Sequence, residues 1–119
     1  MNFALLGPNY SDDECEEILI QEGAIINKMQ ETDLIATVVQ DLSDGKVIGW
    51  FQGCMEFGPR ALGNRSIIGD ARNPTMQSKM NLKIKFRESF RPFAPSVLRE
   101  DLKDWFDLNC DSPYMLLVS

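Results

Sequence analysis

The sequence contains no histidine among its 119 residues. This absence excludes the Ser-His-Asp and Cys-His hydrolases, which need an imidazole to accept the proton of the nucleophile. It also excludes zinc sites with imidazole ligands and every mechanism in which histidine acts as the acid or the base. The chemistry of this chain has to be sought among its other polar residues.

Cysteine is scarce as well. The three cysteines, Cys15, Cys54 and Cys110, are odd in number and show no Cys-x-x-Cys spacing. This pattern predicts reduced thiols, as in the cytoplasm, rather than a disulfide framework or a structural zinc site. We therefore expect a cytoplasmic protein without metal ligands of its own.

Long apolar runs are also missing from the chain. None approaches the about 20 residues that a membrane-spanning helix needs. The first residues contain no basic cluster and no adequate apolar core, so we expect no signal peptide. A Walker P-loop is absent too, because neither Gly-Lys-Ser nor Gly-Lys-Thr occurs. A phosphate site in this chain must therefore be built differently.

What the chain does contain is a glycine-rich polar stretch directly after a strongly apolar run. Residues 50–70 combine glycines and a proline with two arginines, an asparagine and a serine. Glycine lets the backbone approach a ligand closely, because it has no Cβ atom. The planar fork of arginine pairs two phosphate oxygens at once. We interpret this stretch as an anion-binding turn.

The distribution of charge supports that interpretation. Residues 53–99 contain nine basic and three acidic side chains, a net charge of +6, whereas the whole chain carries −6. The remaining residues therefore carry −12. Such asymmetry focuses electrostatic potential toward anionic ligands. The alternative is a solvated basic face that binds nothing. A second basic stretch lies within the window, at Lys83, Lys85, Arg87 and Arg91.

The order of apolar and turn-forming residues predicts an α/β domain. Ser11 and Glu14 match a capping box, and Gly45 follows an apolar stripe, so we predict helices at 11–22 and 32–43. The other predicted elements are a buried strand at 47–51, a short strand at 66–69, a helix at 73–84 that begins at Asn73-Pro74, an irregular segment at 86–95, a strand at 96–98, a helix at 100–106 and a strand at 114–118.

Residues 55–67, Met-Glu-Phe-Gly-Pro-Arg-Ala-Leu-Gly-Asn-Arg-Ser-Ile, resemble the hallmark of the ATP-dependent O-carbamoyltransferases. This is the family of nodulation proteins and antibiotic carbamoyltransferases. The resemblance continues through 70–74, 90–98 and 112–116 and reaches back to 6–11, so it covers nearly the whole chain. It is confined to the C-terminal part of the family. The sequence departs from the family at Cys54, where a basic residue is usual.

The resemblance implies an α/β fold, namely a partial YrdC/Sua5-like twisted open sheet with flanking helices. Residues 1–119 would be a partial C-terminal domain, with the Kae1-like domain of the family absent. In the family, the C-terminal domain makes carbamoyl adenylate from carbamoyl phosphate and ATP with Mg²⁺. The Kae1-like domain then passes the carbamoyl group to an acceptor hydroxyl. We expect the isolated chain to be inactive and to need a Kae1-like domain in cis or in trans.

The same resemblance assigns roles to individual residues. Arg60 and Lys85 are the predicted catalytic residues. The predicted substrate-binding residues are Arg60, Asn64, Arg65, Lys85, Arg87 and Arg91. Asn64 either hydrogen-bonds a ligand oxygen or holds the turn. Arg65 either binds substrate or forms an internal strut with Asp70 or Glu56. Glu56 is expected to orient Arg60 in preference to holding Mg²⁺.

Two other functions stay open at this point. One is a non-catalytic nucleotide- or RNA-binding module, because YrdC-like folds offer a concave basic surface. The few aromatic residues in the basic window and the negative total charge argue against RNA. The other is a subunit that functions only when docked to a separate partner chain. An open sheet edge favours such pairing, or self-association.

Overall fold

The computed structural model describes residues 4–119. Its helices are α1 (Asp12–Gln21), α2 (Glu31–Ser43), α3 (Met76–Lys83) and α4 (Leu102–Trp105), and its strands are β1 (Ile48–Phe51) and β2 (Arg65–Ile68). The chain divides into two compact units, the first ending at Asp70 and the second running from Ala71 to Ser119. The predicted mixture of helices and strands is confirmed.

Helix α1 begins where the sequence predicts it. The backbone N–H of Ser11 donates to Glu14 Oε2 at 2.8 Å, and the N–H of Glu14 donates to Ser11 Oγ at 3.3 Å. This reciprocal pair is a capping box, which satisfies amides that the first helical turn leaves without partners. The bond from the Ser11 backbone is also the main reason why the pKa of Glu14 is lowered.

Strands β1 and β2 form a two-stranded antiparallel sheet, with Ile48 opposite Ile68 and Phe51 opposite Arg65. Along β1 the side chains alternate between half-buried and exposed, and Trp50 is half-buried whereas Phe51 is exposed. The expectation of a fully buried strand is therefore wrong. An antiparallel pair packs one face on the core and leaves the other in solvent, so only every second residue is covered.

The segment 4–8 lies beside the chain that follows β1. The Gly7 N–H donates to the Met55 carbonyl at 2.9 Å, and the Met55 N–H donates to the Pro8 carbonyl at 2.9 Å. A further bond of 2.6 Å joins the Phe57 N–H to the Ala4 carbonyl. A Cβ atom at Gly7 would lie 2.9 Å from both the Cβ and the carbonyl oxygen of Met55. Only glycine fits this close approach of two backbones.

The second unit contains α3, whose Met76 and Met80 are buried. The predicted start at Asn73-Pro74 is wrong, because the helix begins at Met76. Asn73 Oδ1 instead accepts hydrogen bonds from the N–H and the hydroxyl of Thr75, both at 2.9 Å. The asparagine side chain thus forms a local turn over 73–75 that leads into the first residue of α3.

The strands predicted at 96–98 and 114–118 are not formed in the described part of the chain. Leu98 is exposed, and so are Leu116 and Val118. An extended apolar run becomes a strand only when a neighbouring strand supplies hydrogen bonds, and neither run has such a neighbour here. The predicted helix at 100–106 is present in shorter form as α4.

Replacing Gly7 by alanine tests the close backbone approach. Because the added methyl group overlaps Met55, we expect Gly7→Ala to lower the free energy of unfolding by about 1–3 kcal/mol, the usual cost of overpacking. Gly49→Ala is the matched control, since a Cβ atom there meets nothing within 4 Å. Urea denaturation of both variants measures the effect, and equal stabilities of the two would contradict the structure.

Candidate anion-binding site

Residues 53–64, which we name the glycine turn, connect β1 to β2. Three of its glycines adopt positive φ angles, +51° at Gly53, +138° at Gly58 and +118° at Gly63. Residues with a Cβ atom rarely adopt such angles, so the path of the turn depends on these glycines.

A buried carboxylate lies at the centre of the glycine turn. Glu56 is only 4% exposed. Its Oε1 accepts hydrogen bonds from the backbone N–H groups of Leu62 at 2.6 Å, Asn64 at 2.8 Å and Arg65 at 3.4 Å. The remaining amide of this run, that of Gly63, donates to Ser66 Oγ at 3.0 Å. The sequence suggests that Glu56 orients Arg60 or holds Mg²⁺. In the structure, the Glu56 carboxylate instead accepts hydrogen bonds from backbone amides.

The pKa of Glu56 reflects two opposing effects. Burial raises the pKa of this carboxyl, and it is the largest single influence. The hydrogen bonds from the backbone of Asn64, Leu62 and Arg65 each lower it, and together they keep the pKa below the ordinary value of 4.5. Glu56 is therefore ionised at neutral pH, even though it is buried.

Glu56 binds backbone N–H groups, and Arg65 binds backbone carbonyl groups of the same region. Its Nη1 donates to the carbonyl of Gln52 at 2.8 Å and its Nη2 donates to that of Gly53 at 2.9 Å. The same two nitrogens also donate to the carbonyls of Asn64 at 2.9 Å and Pro8 at 3.3 Å. Arg65 is thus an internal strut, but it binds carbonyl groups and not the carboxylates that the sequence suggests. Its predicted contact with substrate stays a prediction.

The side chain of Asn64 also holds the glycine turn. Its Nδ2 donates to the Cys54 carbonyl at 2.9 Å, and its Oδ1 accepts a bond of 3.3 Å from Gln52 Nε2. Of the two roles expected for Asn64, the structure shows that it holds the turn. A ligand contact of this amide is a separate prediction that these bonds leave untested.

Arg60 differs from the other polar residues of the glycine turn. It is exposed, and within residues 4–119 its guanidinium forms no hydrogen bond or ion pair. Arg60 therefore lies on an anchored loop and presents an uncompensated positive charge to solvent.

The second basic segment is residues 85–91, which we name the lysine–arginine loop. Asn81, the fully buried residue of α3, anchors it. Its Nδ2 donates to the carbonyls of Ser89 at 3.1 Å and Arg91 at 2.7 Å, and its Oδ1 accepts a bond of 2.6 Å from Arg87 Nε. One asparagine side chain thus binds three points of this loop.

The cations of the lysine–arginine loop differ in how they are held. Arg87 is half-buried, and its guanidinium carbon lies 4.9 Å from the centre of the Phe93 ring. Arg91 Nε donates to Glu88 Oε2 at 3.1 Å in an exposed ion pair. Lys85 is exposed, and within the described chain its ammonium group forms no hydrogen bond or ion pair.

The predicted site residues therefore fall into two groups. Asn64 and Arg65 are neighbours in the first unit, where Arg65 Nη1 donates to the Asn64 carbonyl. Arg60 is exposed on the glycine turn of the same unit. Arg87 and Arg91 meet at Asn81 in the second unit, in a loop that also contains Lys85.

Sequence reasoning missed the anchors of both segments. The signal for Glu56 is a lone carboxylate between Met55 and Phe57, just before a glycine-rich run with many amide donors. The sequence signal for Asn81 as an anchor is weaker: it is a small amide side chain one residue after the buried Met80. Neither pattern identifies its hydrogen-bond partners, because those partners are backbone groups present in every sequence.

The described residues contain no group of three or more cysteine, aspartate or glutamate side chains that could hold a metal ion. None of the helices in residues 4–119 is long and apolar enough to cross a membrane. Two recesses of the described surface are lined by residues between Arg99 and Asp111, and neither includes a predicted site residue.

The lowered pKa of Glu56 predicts how stability depends on pH. A carboxyl whose pKa is depressed in the folded state stabilises the fold above its unfolded pKa, and this contribution is lost as the pH falls through the folded value. We expect the difference in unfolding free energy between wild type and Glu56→Gln to be constant from about pH 7 to pH 5.5 and to shrink towards about pH 3. Urea titrations across this range measure it, and a difference independent of pH would contradict it.

Replacing Asn81 by alanine should loosen the lysine–arginine loop. The change leaves the carbonyls of Ser89 and Arg91 without this donor, and an unmade buried hydrogen bond costs about 1–3 kcal/mol. Gln77→Ala is the matched control in α3, because exposed Gln77 donates to the carbonyls of Phe90 at 3.2 Å and Arg91 at 3.1 Å. We expect Gln77→Ala to cost less than about 1 kcal/mol in urea unfolding. A control as costly as Asn81→Ala would be inconsistent with the anchor.

Comparison with known proteins identifies the family. The family model described as carbamoyltransferase C-terminus matches residues 39–119. An uncharacterized protein of Synechocystis is 58% identical over 116 residues, which cover 96% of this chain and 19% of that protein. The nodulation protein NolNO of Sinorhizobium fredii is 47% identical over 103 residues, which cover 86% of this chain and 15% of that protein.

A third relative has an enzymatic name, the 3'-hydroxymethylcephem-O-carbamoyltransferase of Streptomyces clavuligerus. It is 41% identical over 81 residues, which cover 68% of this chain and 15% of the relative. The chain thus spans less than a fifth of the length of these relatives. The family match over two thirds of the sequence and these identities establish that the chain belongs to the carbamoyltransferase C-terminus family.

Proposed function

We propose that this chain is the carbamoyladenylate-forming part of an O-carbamoyltransferase. It binds ATP and carbamoyl phosphate through the basic glycine turn, and Lys85, Arg87 and Arg91 of the lysine–arginine loop are further phosphate-binding residues. A Kae1-like domain, supplied in cis or in trans, then transfers the carbamoyl group to a hydroxyl of the acceptor. The family membership and the much greater length of the relatives support both parts of the proposal.

The observation that carries the proposal is the contrast between anchored and free cations. Arg65 uses both terminal nitrogens of its guanidinium on backbone carbonyls. Arg60 and Lys85 are exposed and have no internal partner in the described chain. Neither cation is used to hold its loop, so both meet the requirement of an anion site for cations whose positive charge is still available.

The guanidinium groups of Arg87 and Arg91 are only partly engaged in bonds within the chain. Each uses Nε for its bond, to Asn81 Oδ1 and to Glu88 Oε2 respectively. The two terminal nitrogens of each guanidinium are then left for phosphate oxygens, and the fork is oriented by the bond at Nε. Such orientation favours bidentate pairing with a phosphate group.

The proposed reaction suits a site made of cations and amides. Water cleaves carbamoyl phosphate to carbamate and phosphate, and an oxygen of the carbamate then bonds to the α-phosphorus of ATP while the bond to the leaving pyrophosphate breaks. These steps bring several negatively charged groups together. The contribution required of the protein is to align these groups and to neutralise their charge. Neither histidine nor another general base is needed for this, in agreement with the composition.

Magnesium does not fit a protein-bound site in the described residues. Residues 4–119 contain no group of three or more acidic or cysteine side chains that could hold a metal ion, and Oε1 of Glu56 is occupied by backbone amides. Any Mg²⁺ would accompany the phosphates of ATP, and no step of the proposal depends on a metal ligand of this chain.

Titration calorimetry with ATP–Mg²⁺ and with carbamoyl phosphate tests the proposal. We expect Arg60→Ala and Lys85→Ala each to weaken binding of at least one ligand by about tenfold or more, since each removes a charge-assisted hydrogen bond. Lys103→Ala is the matched control, because exposed Lys103 lies outside both segments, and it should bind as the wild type does. A folded wild-type chain that binds neither ligand, or variants that bind both ligands normally, would refute the proposal for this chain.

A further inference from the structure

We propose that Glu56 is a positioning residue, whose carboxylate fixes the glycine turn in the conformation that presents Arg60 to an anionic substrate. The part of this inference that concerns substrate rests on the proposed function. The part that concerns the turn rests on geometry alone.

The carboxylate closes a loop around Arg60. Glu56 precedes Arg60 by four residues, and the amides that it binds follow Arg60 by two, four and five residues, at Leu62, Asn64 and Arg65. Arg60 is therefore near the middle of a loop whose two ends meet at one oxygen atom. Without this closure, positive-φ glycines on both sides of Arg60 would allow its backbone many conformations.

The anchor has to be a negative charge. Three N–H groups converge on Oε1 of Glu56. A carboxylate oxygen accepts several donors, and hydrogen bonds to an ionised acceptor are roughly twice as strong as those between neutral groups. A glutamine has nearly the same shape and keeps one acceptor oxygen, but it lacks the charge. Glu56→Gln therefore separates the charge of the anchor from its size.

Glu56 acts through Arg60 and does not touch substrate. The residue is 4% exposed, and its Oε1 is already committed to the backbone. A carboxylate would also repel phosphate. The structure shows no bond between Glu56 and the Arg60 guanidinium within the described chain, so the influence of Glu56 on Arg60 runs through the backbone of residues 57–62.

The first experiment needs no ligand. Amide hydrogen exchange is followed by NMR in the wild-type chain and in Glu56→Gln. We expect the amides of Leu62 and Asn64 to exchange at least tenfold faster in the variant, while amides in the middle of α2 keep their protection. Glu88→Gln is the matched control, because exposed Glu88 binds Arg91 outside the glycine turn. Unchanged exchange at both turn amides would overturn the inference.

Glu56→Asp is a second variant that keeps the test possible if Glu56→Gln does not fold. Aspartate keeps the charge but is one methylene shorter, so it loses part of the three-donor contact. We expect Leu62 and Asn64 to exchange at rates between those of wild type and Glu56→Gln. Exchange in Glu56→Asp as slow as in wild type, together with equally slow exchange in Glu56→Gln, would show that the turn does not depend on this side chain.

The second experiment is a double-mutant cycle read by binding of ATP–Mg²⁺ and carbamoyl phosphate. If Glu56 positions Arg60, Arg60→Ala should weaken binding about tenfold in the wild-type background but less than about threefold in Glu56→Gln. A purely structural role of Glu56 predicts the same factor in both backgrounds, and that result would overturn the positioning role. Absence of binding by wild type would instead refute the proposed function, and the exchange experiment would still decide whether Glu56 fixes the turn.

Discussion

The glycine turn depends on one buried oxygen atom that collects three backbone amides. A connection rich in glycine has few side chains to pack, so its peptide groups must find partners by other means. Glu56 binds the amides of Leu62, Asn64 and Arg65, and Arg65 binds carbonyls before and within the turn. The negative residue satisfies donors and the positive residue satisfies acceptors. Two charges that do not bond to each other through their side chains thus stabilise one loop from its two sides.

In the second unit a neutral residue supplies hydrogen-bond partners to the lysine–arginine loop. Asn81 offers both a donor and an acceptor group, so a single amide binds the carbonyls of Ser89 and Arg91 and also Arg87 Nε. Every buried polar side-chain atom of the described residues has a partner. Phe86, next to Arg87, has a φ of +50° and is exposed, a conformation that residues other than glycine rarely adopt. The anchored loop therefore holds its backbone against a local preference.

The sequence predicts those parts of the fold whose causes are local. Helix α1 follows from Ser11 and Glu14, and the turn glycines follow from the need for positive φ angles. The start of α3 was predicted too early because Asn73 and Thr75 form a turn that leads into the helix. The strand at 114–118 was mispredicted because pairing depends on residues distant in sequence. The anchoring role of Glu56 was missed for the same reason, since its partners are backbone groups brought near it only by the folded turn.

Polar anchors are important here because the apolar core is small. Among the described residues, the buried hydrophobic side chains are Ala4, Met76 and Met80. Burial of so few side chains contributes little hydrophobic free energy towards the entropy of ordering long loops. Hydrogen-bonded charges then determine which loop conformations persist. Glu56 holds its loop as an ionised carboxylate and Asn81 holds the other as a neutral amide, so Arg60 and Lys85 take no part in holding either loop. Among the basic residues of 53–99, Arg65 and Arg87 hold the two loops, whereas Arg60 and Lys85 stay exposed without an internal partner in the described chain.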